Sequence, residues 1–259
     1  MKVTFLGTGT SHGVPMIACD CLVCRSTDPR DKRLRPSIFV QMDDGTGILV
    51  DAGPDLRQQA LAHGIRRVDA ILFTHGHADH ILGIDETRRF TILQRQPMPC
   101  FADPATMHDI RRTFGYVFDP ATPKGGGLPE LQLTAIDGPF RIGAHEIRPV
   151  TVMHGERSIL GFRFGPFAYL TDCNQIPEAS WPLLHNLEVL VLDALRQRPH
   201  PTHFSLSEAV DAAHRIAARR TYFTHMCHDL GHADTNARLP AGMELAHDGL
   251  VLDLGNAEG

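Results

Sequence analysis

"DAILFTHGHADH", residues 69–80, joins a short apolar run to four potential metal ligands within six residues. The run predicts a buried strand, and the loop at its carboxyl end then carries His75, His77, Asp79 and His80. A spacing of two lets His75 and His77 face one ion, while Asp79 and His80, after the chain turns, serve a neighbouring one. A lone histidine in such a place is most often structural. Four ligand groups together, two of them needing desolvation at a strand end, are hard to explain without metal.

Two ions need more ligands than one loop holds, so the other strand ends matter. VTVMH closes on His154, AYLTD on Asp172 and TYFTH on His225. Strands commonly end on polar residues, but three such ends in the same setting point to shared chemistry. Around them the pattern predicts a strand at VTFLGTG, a hairpin from SIFVQM to ILVDAG, and a helix over 55–63 that stops at Gly64. HEIRPVTVMH, ILGFRFG, PFAYLTD and LEVLVLDAL read as further strands. Ser205 and Glu208 stand at capping-box spacing before a helix, and MELAHDGLVLDL reads as a closing hairpin. This gives an α/β chain, residues 1–259 forming a single domain whose two pseudo-repeated halves meet near 119–135. DPATPKGGGLPE, residues 119–130, reads as a mobile loop there.

With 25 basic and 30 acidic residues the net charge is −5, which argues against nucleic acid as a general partner. A small anionic substrate held by local metal charge fits better. MKVTFLGTGTS lacks a signal-peptide apolar run, and no segment reaches the ~18 apolar residues that would span a bilayer. The expectation is therefore a cytoplasmic protein with no membrane contact, whose six cysteines stay reduced. Three of them, Cys19, Cys21 and Cys24 in "CDCLVC", suit a tetrahedral zinc that needs one more donor. Cys227, His228 and His232 are the nearby candidates, with Cys227 the rival to His228.

H-x-H-x-D-H, matched here by His75, His77, Asp79 and His80, resembles the signature of the metallo-β-lactamase superfamily. Within it, "GTGTSHGVP", the C-x-C-x-x-C that follows, "HGHADH", His154, Asp172, the histidine of "THFSL" and "THMCH" resemble the PhnP-like phosphodiesterases of the carbon–phosphorus lyase pathway. That resemblance spans nearly the whole chain. It implies a four-layer αβ/βα sandwich with one divalent ion on His75, His77 and His154, and a second on Asp79, His80 and His225. Asp172 would bridge the two ions, Zn2+ or Mn2+, Asp79 would count as both ligand and catalytic residue, and Asp51 of "LVDAG" would orient a ligand histidine. It also selects His228 as fourth ligand of a structural Zn2+.

Dinuclear centres activate water and stabilise both attacking and leaving oxygens, so the implied chemistry is hydrolysis. The implied substrate is a small cyclic phosphodiester, such as a ribosyl 1,2-cyclic phosphate or a 2′,3′-cyclic nucleotide. His203 matches the family's general acid, with His200 as fallback, and the family implies a homodimer. Redox di-iron members carry an acidic residue where this chain has Gly76, which argues against electron transfer. Arg157, Arg196 and Arg198 are candidate phosphate contacts. Three rivals stand beside this reading. An RNA 3′-processing nuclease would want a basic arm that the sequence lacks. A thioester or lactone hydrolase of the same fold is the next. A non-catalytic zinc-binding scaffold protein is the last, and the mixed imidazole and carboxylate ligands, which leave positions open for water, argue against it.

Overall fold

Long apolar stretches without alternation require strands covered on both faces, whereas alternating ones can leave one face to solvent. Both kinds occur in the computed structural model, which describes residues 1–123, 125 and 127–255. Its first strands are β1 (Lys2–Gly7), β2 (Ser37–Gln41), β3 (Gly47–Val50), β4 (Ala70–Leu72), β5 (Met98–Ala102), β6 (Leu131–Ala135) and β7 (Phe140–Ile142). The later ones are β8 (His145–His154), β9 (Arg157–Phe164), β10 (Phe167–Leu170), β11 (Val189–Asp193), β12 (Arg220–Thr224), β13 (Met243–Leu245) and β14 (Val251–Asp253). The helices are α1 (Leu56–Ala62), α2 (Ala78–Ile81), α3 (Arg88–Gln94), α4 (Pro104–Thr113), α5 (Gly115–Phe118), α6 (Leu206–Ile216) and α7 (His232–Asn236).

One unit holds Met1–Leu6, Ser37–Asp137 and the chain from Gly249 onward. Its sheet runs β14-β1-β2-β3-β4-β5-β6. The expected hairpin is present, with Ile38 opposite Val50, and β3 to β6 then run parallel. Leu49, Ile71, Phe73 and Cys100 form its core with Ile110 of α4. Parallel strands end on one edge, so the ends of β3 and β4 deliver Asp51 and the 75–80 loop to the same place. The Asp51 N–H donates to the Leu72 carbonyl at 2.9 Å, locking that register.

The other unit holds Gly7–Pro36 and Gly138–Asp248. Its sheet runs β13-β12-β11-β10-β9-β8-β7. Its β10, β11, β12 and β13 are parallel, and β11 is buried at all five positions, as its unbroken apolar run requires. The sheet edge at the ends of β10, β11 and β12 therefore gathers Asp172, Asp193 and His225. Leu206, Ala209, Ala213 and Ile216 bury one stripe of α6 on this sheet. The Ser205 side chain accepts the Glu208 N–H while Glu208 accepts the Ser205 N–H, completing the capping box.

The predicted closing hairpin does not form. Met243–Leu245 pairs with β12, while Val251–Asp253 pairs with β1 in the other sheet. The Asp248 carboxylate explains the crossing, since it accepts the Thr8 hydroxyl at 2.8 Å and the Leu34 N–H at 2.7 Å instead of turning a hairpin. Burial raises its pKa to about 7. The changeover between units falls at Asp137–Gly138, and residues 7–36 belong with the later segment. In the loop expected at 119–130, Asp119–Thr122 make a turn, and Lys124 and Gly126 lie outside the described residues. Among the described residues no helix is long and apolar enough to cross a membrane.

Ser205→Ala removes the side-chain half of the α6 cap and should lower stability by about 1 kcal/mol. A urea titration checks it: the midpoint falls with the slope unchanged.

Candidate metal centre

In the first unit, a buried carboxylate organises the histidine loop. Asp51 is fully buried and accepts from His80 Nδ1 at 2.7 Å through Oδ2. Thr74 adds two bonds to it, from its N–H at 2.8 Å to Oδ1 and from its hydroxyl at 2.8 Å to Oδ2. Burial pushes the Asp51 carboxyl up, and the His80 ring and these donors oppose that shift. With Nδ1 committed to Asp51, His80 offers Nε2, the arrangement usual for metal-bound histidine. His80 Nε2 lies 3.3 Å from Asp79 Oδ2. The rings of His75 and His77 lie 4.4 Å apart between centroids, and one ligand nitrogen of each is within 4.8 Å of the other. All four predicted residues of this loop are thus brought together, with His75 and His80 fully buried and His77 exposed.

Gly76 has a steric reason beyond lacking an acidic group. A Cβ there would sit 2.6 Å from both the Cβ and Oδ2 of Asp109 on α4. Only glycine lets the loop pass so close to that helix.

In the second unit, Asp172, His154, His203 and His225 converge with a residue the sequence reading missed. Asp193, the last residue of β11, is fully buried, and its Oδ2 accepts from His203 Nδ1 at 2.9 Å and the Cys173 N–H at 2.9 Å. Its Oδ1 lies 3.7 Å from His225 Nδ1. Burial drives the Asp193 carboxyl well up, and the neighbouring His225 opposes it. Asp193 terminates an apolar run just as Asp172 does, so the rule that found Asp172 would have found it. His225 Nε2 is 3.1 Å from Asp172 Oδ2, and ligand atoms of His154, Asp172 and His203 lie within 4.8 Å of one another. His154 Nδ1 donates to the Thr202 carbonyl at 2.9 Å, which again presents Nε2.

His203 stacks on His225 at 4.8 Å, whereas the His200 Nδ1 accepts from the Thr202 N–H at 3.3 Å and its ring lies 5.1 Å from that of His203. The Asp193 contact therefore falls on His203, not on its fallback.

Three of these residues carry left-handed backbone: Asp51 at φ 65°, Asp172 at 56° and His225 at 59°. Non-glycine residues adopt this region at a cost, and such positions cluster at functional sites. Each directly follows, or lies two residues beyond, a strand end, where the backbone must turn to aim the side chain along the sheet edge.

CDCLVC belongs to the second unit with its partner. The Sγ atoms of Cys19, Cys21 and Cys24 stand 3.1, 3.4 and 3.5 Å from His228 Nδ1. Tetrahedral zinc with ordinary bond lengths sets sulfur–nitrogen separations of about 3.5 Å, so the donor set fits that ion. Cys227 is not in this group, and its Sγ accepts the Asp229 N–H instead. The Cys24 N–H lowers the Cys21 thiol to about 7, while burial raises that of Cys24 to about 11. An ion would draw both to thiolate. Arg33 and Asp31 brace the His228 loop: Arg33 Nη1 donates to the Cys227 carbonyl at 2.8 Å, and Asp31 accepts the His232 N–H at 2.8 Å.

The family model described as a beta-lactamase superfamily domain matches residues 46–226. A solved structure, described as a new diphosphatase from the PhnP family, shares 46% identity and a TM-score of 0.91, covering 97% of this chain and 96% of that one. Zn2+-bound PqqB from Methylobacterium extorquens has the same fold, at 22% identity and a TM-score of 0.79 over 98% of this chain and 100% of that one. An octanoyltransferase of Porphyromonas gingivalis is 36% identical over 252 residues, 96% of this chain and 51% of that protein. The chain thus spans about half the length of that relative.

Cys21→Ser should lose about one tightly bound divalent ion per chain and lower the thermal midpoint, with metal analysis by mass spectrometry as the check. Gly76→Ala should cost about 1–3 kcal/mol through the clash with Asp109, read by calorimetry on metal-free protein.

Proposed function

Since the chain belongs to the beta-lactamase superfamily and, within it, to the PhnP family, we propose that it is a metal-dependent phosphodiesterase opening a small cyclic phosphodiester. Ribosyl 1,2-cyclic phosphates and 2′,3′-cyclic nucleotides are the substrates that suit it. The ions are proposed to be two Zn2+ or Mn2+ held by His75, His77, Asp79, His80, His154, Asp172 and His225, with a structural Zn2+ on Cys19, Cys21, Cys24 and His228. When bound, the catalytic pair supplies Lewis acidity and an activated water for attack on phosphorus.

The observation that carries the reading is the Asp193–His203 pair at 2.9 Å. Opening a cyclic phosphate forms a phosphorus–oxygen bond to water and breaks one to a ribose oxygen, which leaves as a poor alkoxide unless protonated. His203, as imidazolium, delivers its Nε2 proton to that oxygen, and Asp193 on Nδ1 balances the ring's charge and fixes its plane. Asp51 and the Thr202 carbonyl do the same orienting work for His80 and His154. A thioester or lactone hydrolase has less use for such a donor.

The pure, metal-loaded protein should hydrolyse 2′,3′-cyclic AMP and bis(p-nitrophenyl) phosphate, and failure on both would contradict the reading. His203→Ala should lower kcat on the cyclic nucleotide by about 10²–10⁴. Nitrophenolate leaves without a proton, so the loss on the aryl diester should be much smaller. Equal losses would reassign His203 to positioning.

A further inference from the structure

The first unit holds a cavity that the chemistry above does not use, at the end of its sheet away from the histidine loop. Its volume is about 360 Å³, within the usual range of small-molecule sites. Lys2, His63, Arg66 and Arg67 line it, and the half-buried ring of Phe39 gives it an apolar wall. β3 runs from Gly47, at this cavity, toward Asp51. Four residue steps along a strand span about 13 Å, so an occupant here does not meet the catalytic ligands.

Among the described residues that line it none is a carboxylate, against a net charge of −5 for the whole chain. Two carboxylates stand nearby. Asp69 is already engaged, its Oδ1 accepting from Arg67 Nε at 2.7 Å and its Oδ2 from the Gly47 N–H at 2.9 Å. Asp253 lies opposite Lys2 in the β1–β14 pairing. Arg66 is exposed, and among the described residues its guanidinium enters no ion pair or hydrogen bond. Burial lowers the His63 pKa, so that ring serves as a hydrogen-bonding partner and not as a charge.

The carboxyl end of α1 borders the cavity, and helix carboxyl ends ordinarily repel anions. Here the His63, Gly64 and Ile65 N–H groups donate to the Gln59, Leu61 and Ala60 carbonyls at 3.1, 3.4 and 2.9 Å. Those carbonyls are thus satisfied within the turn that Gly64 makes at φ 62°. The Phe39 ring is held by its surroundings: a Cβ at position 47 would sit 2.7 Å from its Cζ, so glycine there leaves the ring its place. Thr4 and Gln41 bring a hydroxyl and an amide to the same wall.

We infer that this cavity is an accessory site for a small phosphate monoester that carries a planar ring, a mononucleotide being the type. Arg66 and Lys2 hold the phosphate, the ring packs on Phe39, and Thr4 and Gln41 meet its polar edge. Inorganic phosphate shares only the charge and leaves most of the volume empty. The inference does not depend on the reaction proposed for the metal centre.

AMP, adenosine and inorganic phosphate, titrated separately into zinc-loaded, ¹⁵N-labelled protein, give the test. The amide signals of Gly45, Gly47 and Gly64, which line the cavity, are the readout, so binding at the metal centre is not mistaken for binding here. AMP should shift all three, with a Kd at least about tenfold below that of either fragment. Arg66→Ala should raise that Kd by about tenfold or more, and Arg66→Lys should restore part of it. Hydrolysis of bis(p-nitrophenyl) phosphate should be unchanged in both variants. Because Arg66 is exposed, neither change threatens folding, and thermal midpoints check that. Unmoved glycine signals, equal affinity for AMP and inorganic phosphate, or a Kd that Arg66→Ala leaves unchanged would overturn the inference while leaving the phosphodiesterase reading intact.

Discussion

Asp193 accepts the Nδ1 proton of His203 from a position fully out of solvent, and Asp51 does the same for His80. Burying a carboxylate is costly unless donors and positive charge surround it. Each has them: Asp193 has the Cys173 N–H and two imidazoles, and Asp51 has Thr74 and His80. The consequence reaches the chemistry. A ring whose Nδ1 is committed has only Nε2 to give to an ion or a proton, so the carboxylates decide which face of each histidine is functional.

The same logic explains why the strand ends are bent. An aspartate or histidine continuing a strand would point across the sheet, not along its edge. Left-handed backbone at Asp51, Asp172 and His225 turns each side chain out of the strand register. The cysteine loop contributes rigidity by another route. His228 follows His225 by three residues, and its contacts with three thiols, together with the Arg33 bond to the Cys227 carbonyl, fix the segment that presents His225.

Much of this was legible in the sequence because its signals are local. HGHADH announces itself by spacing, the α6 cap by Ser205 and Glu208, and His154, Asp172 and His225 by ending apolar runs. What stayed hidden depends on distant partners. Asp193 closes the apolar run of β11 in full view, but its role comes from His203 and His225, which only the parallel order of β10, β11 and β12 brings to it. MELAHDGLVLDL reads as a hairpin until Thr8 and Leu34 claim Asp248. Gly76 reads as an absent ligand until Asp109 fills the space.

The central claim is that buried carboxylates set the tautomers of the working histidines. Long-range ¹H–¹⁵N correlation spectra of ¹⁵N-histidine-labelled, metal-free protein at neutral pH test it most directly. The account predicts that His80 and His203 hold their proton on Nδ1, with Asp51→Ala and Asp193→Ala each releasing only its own ring. A neutral ring with its proton on Nε2 in place of Nδ1, or rapid exchange between both nitrogens in the unsubstituted protein, would contradict it.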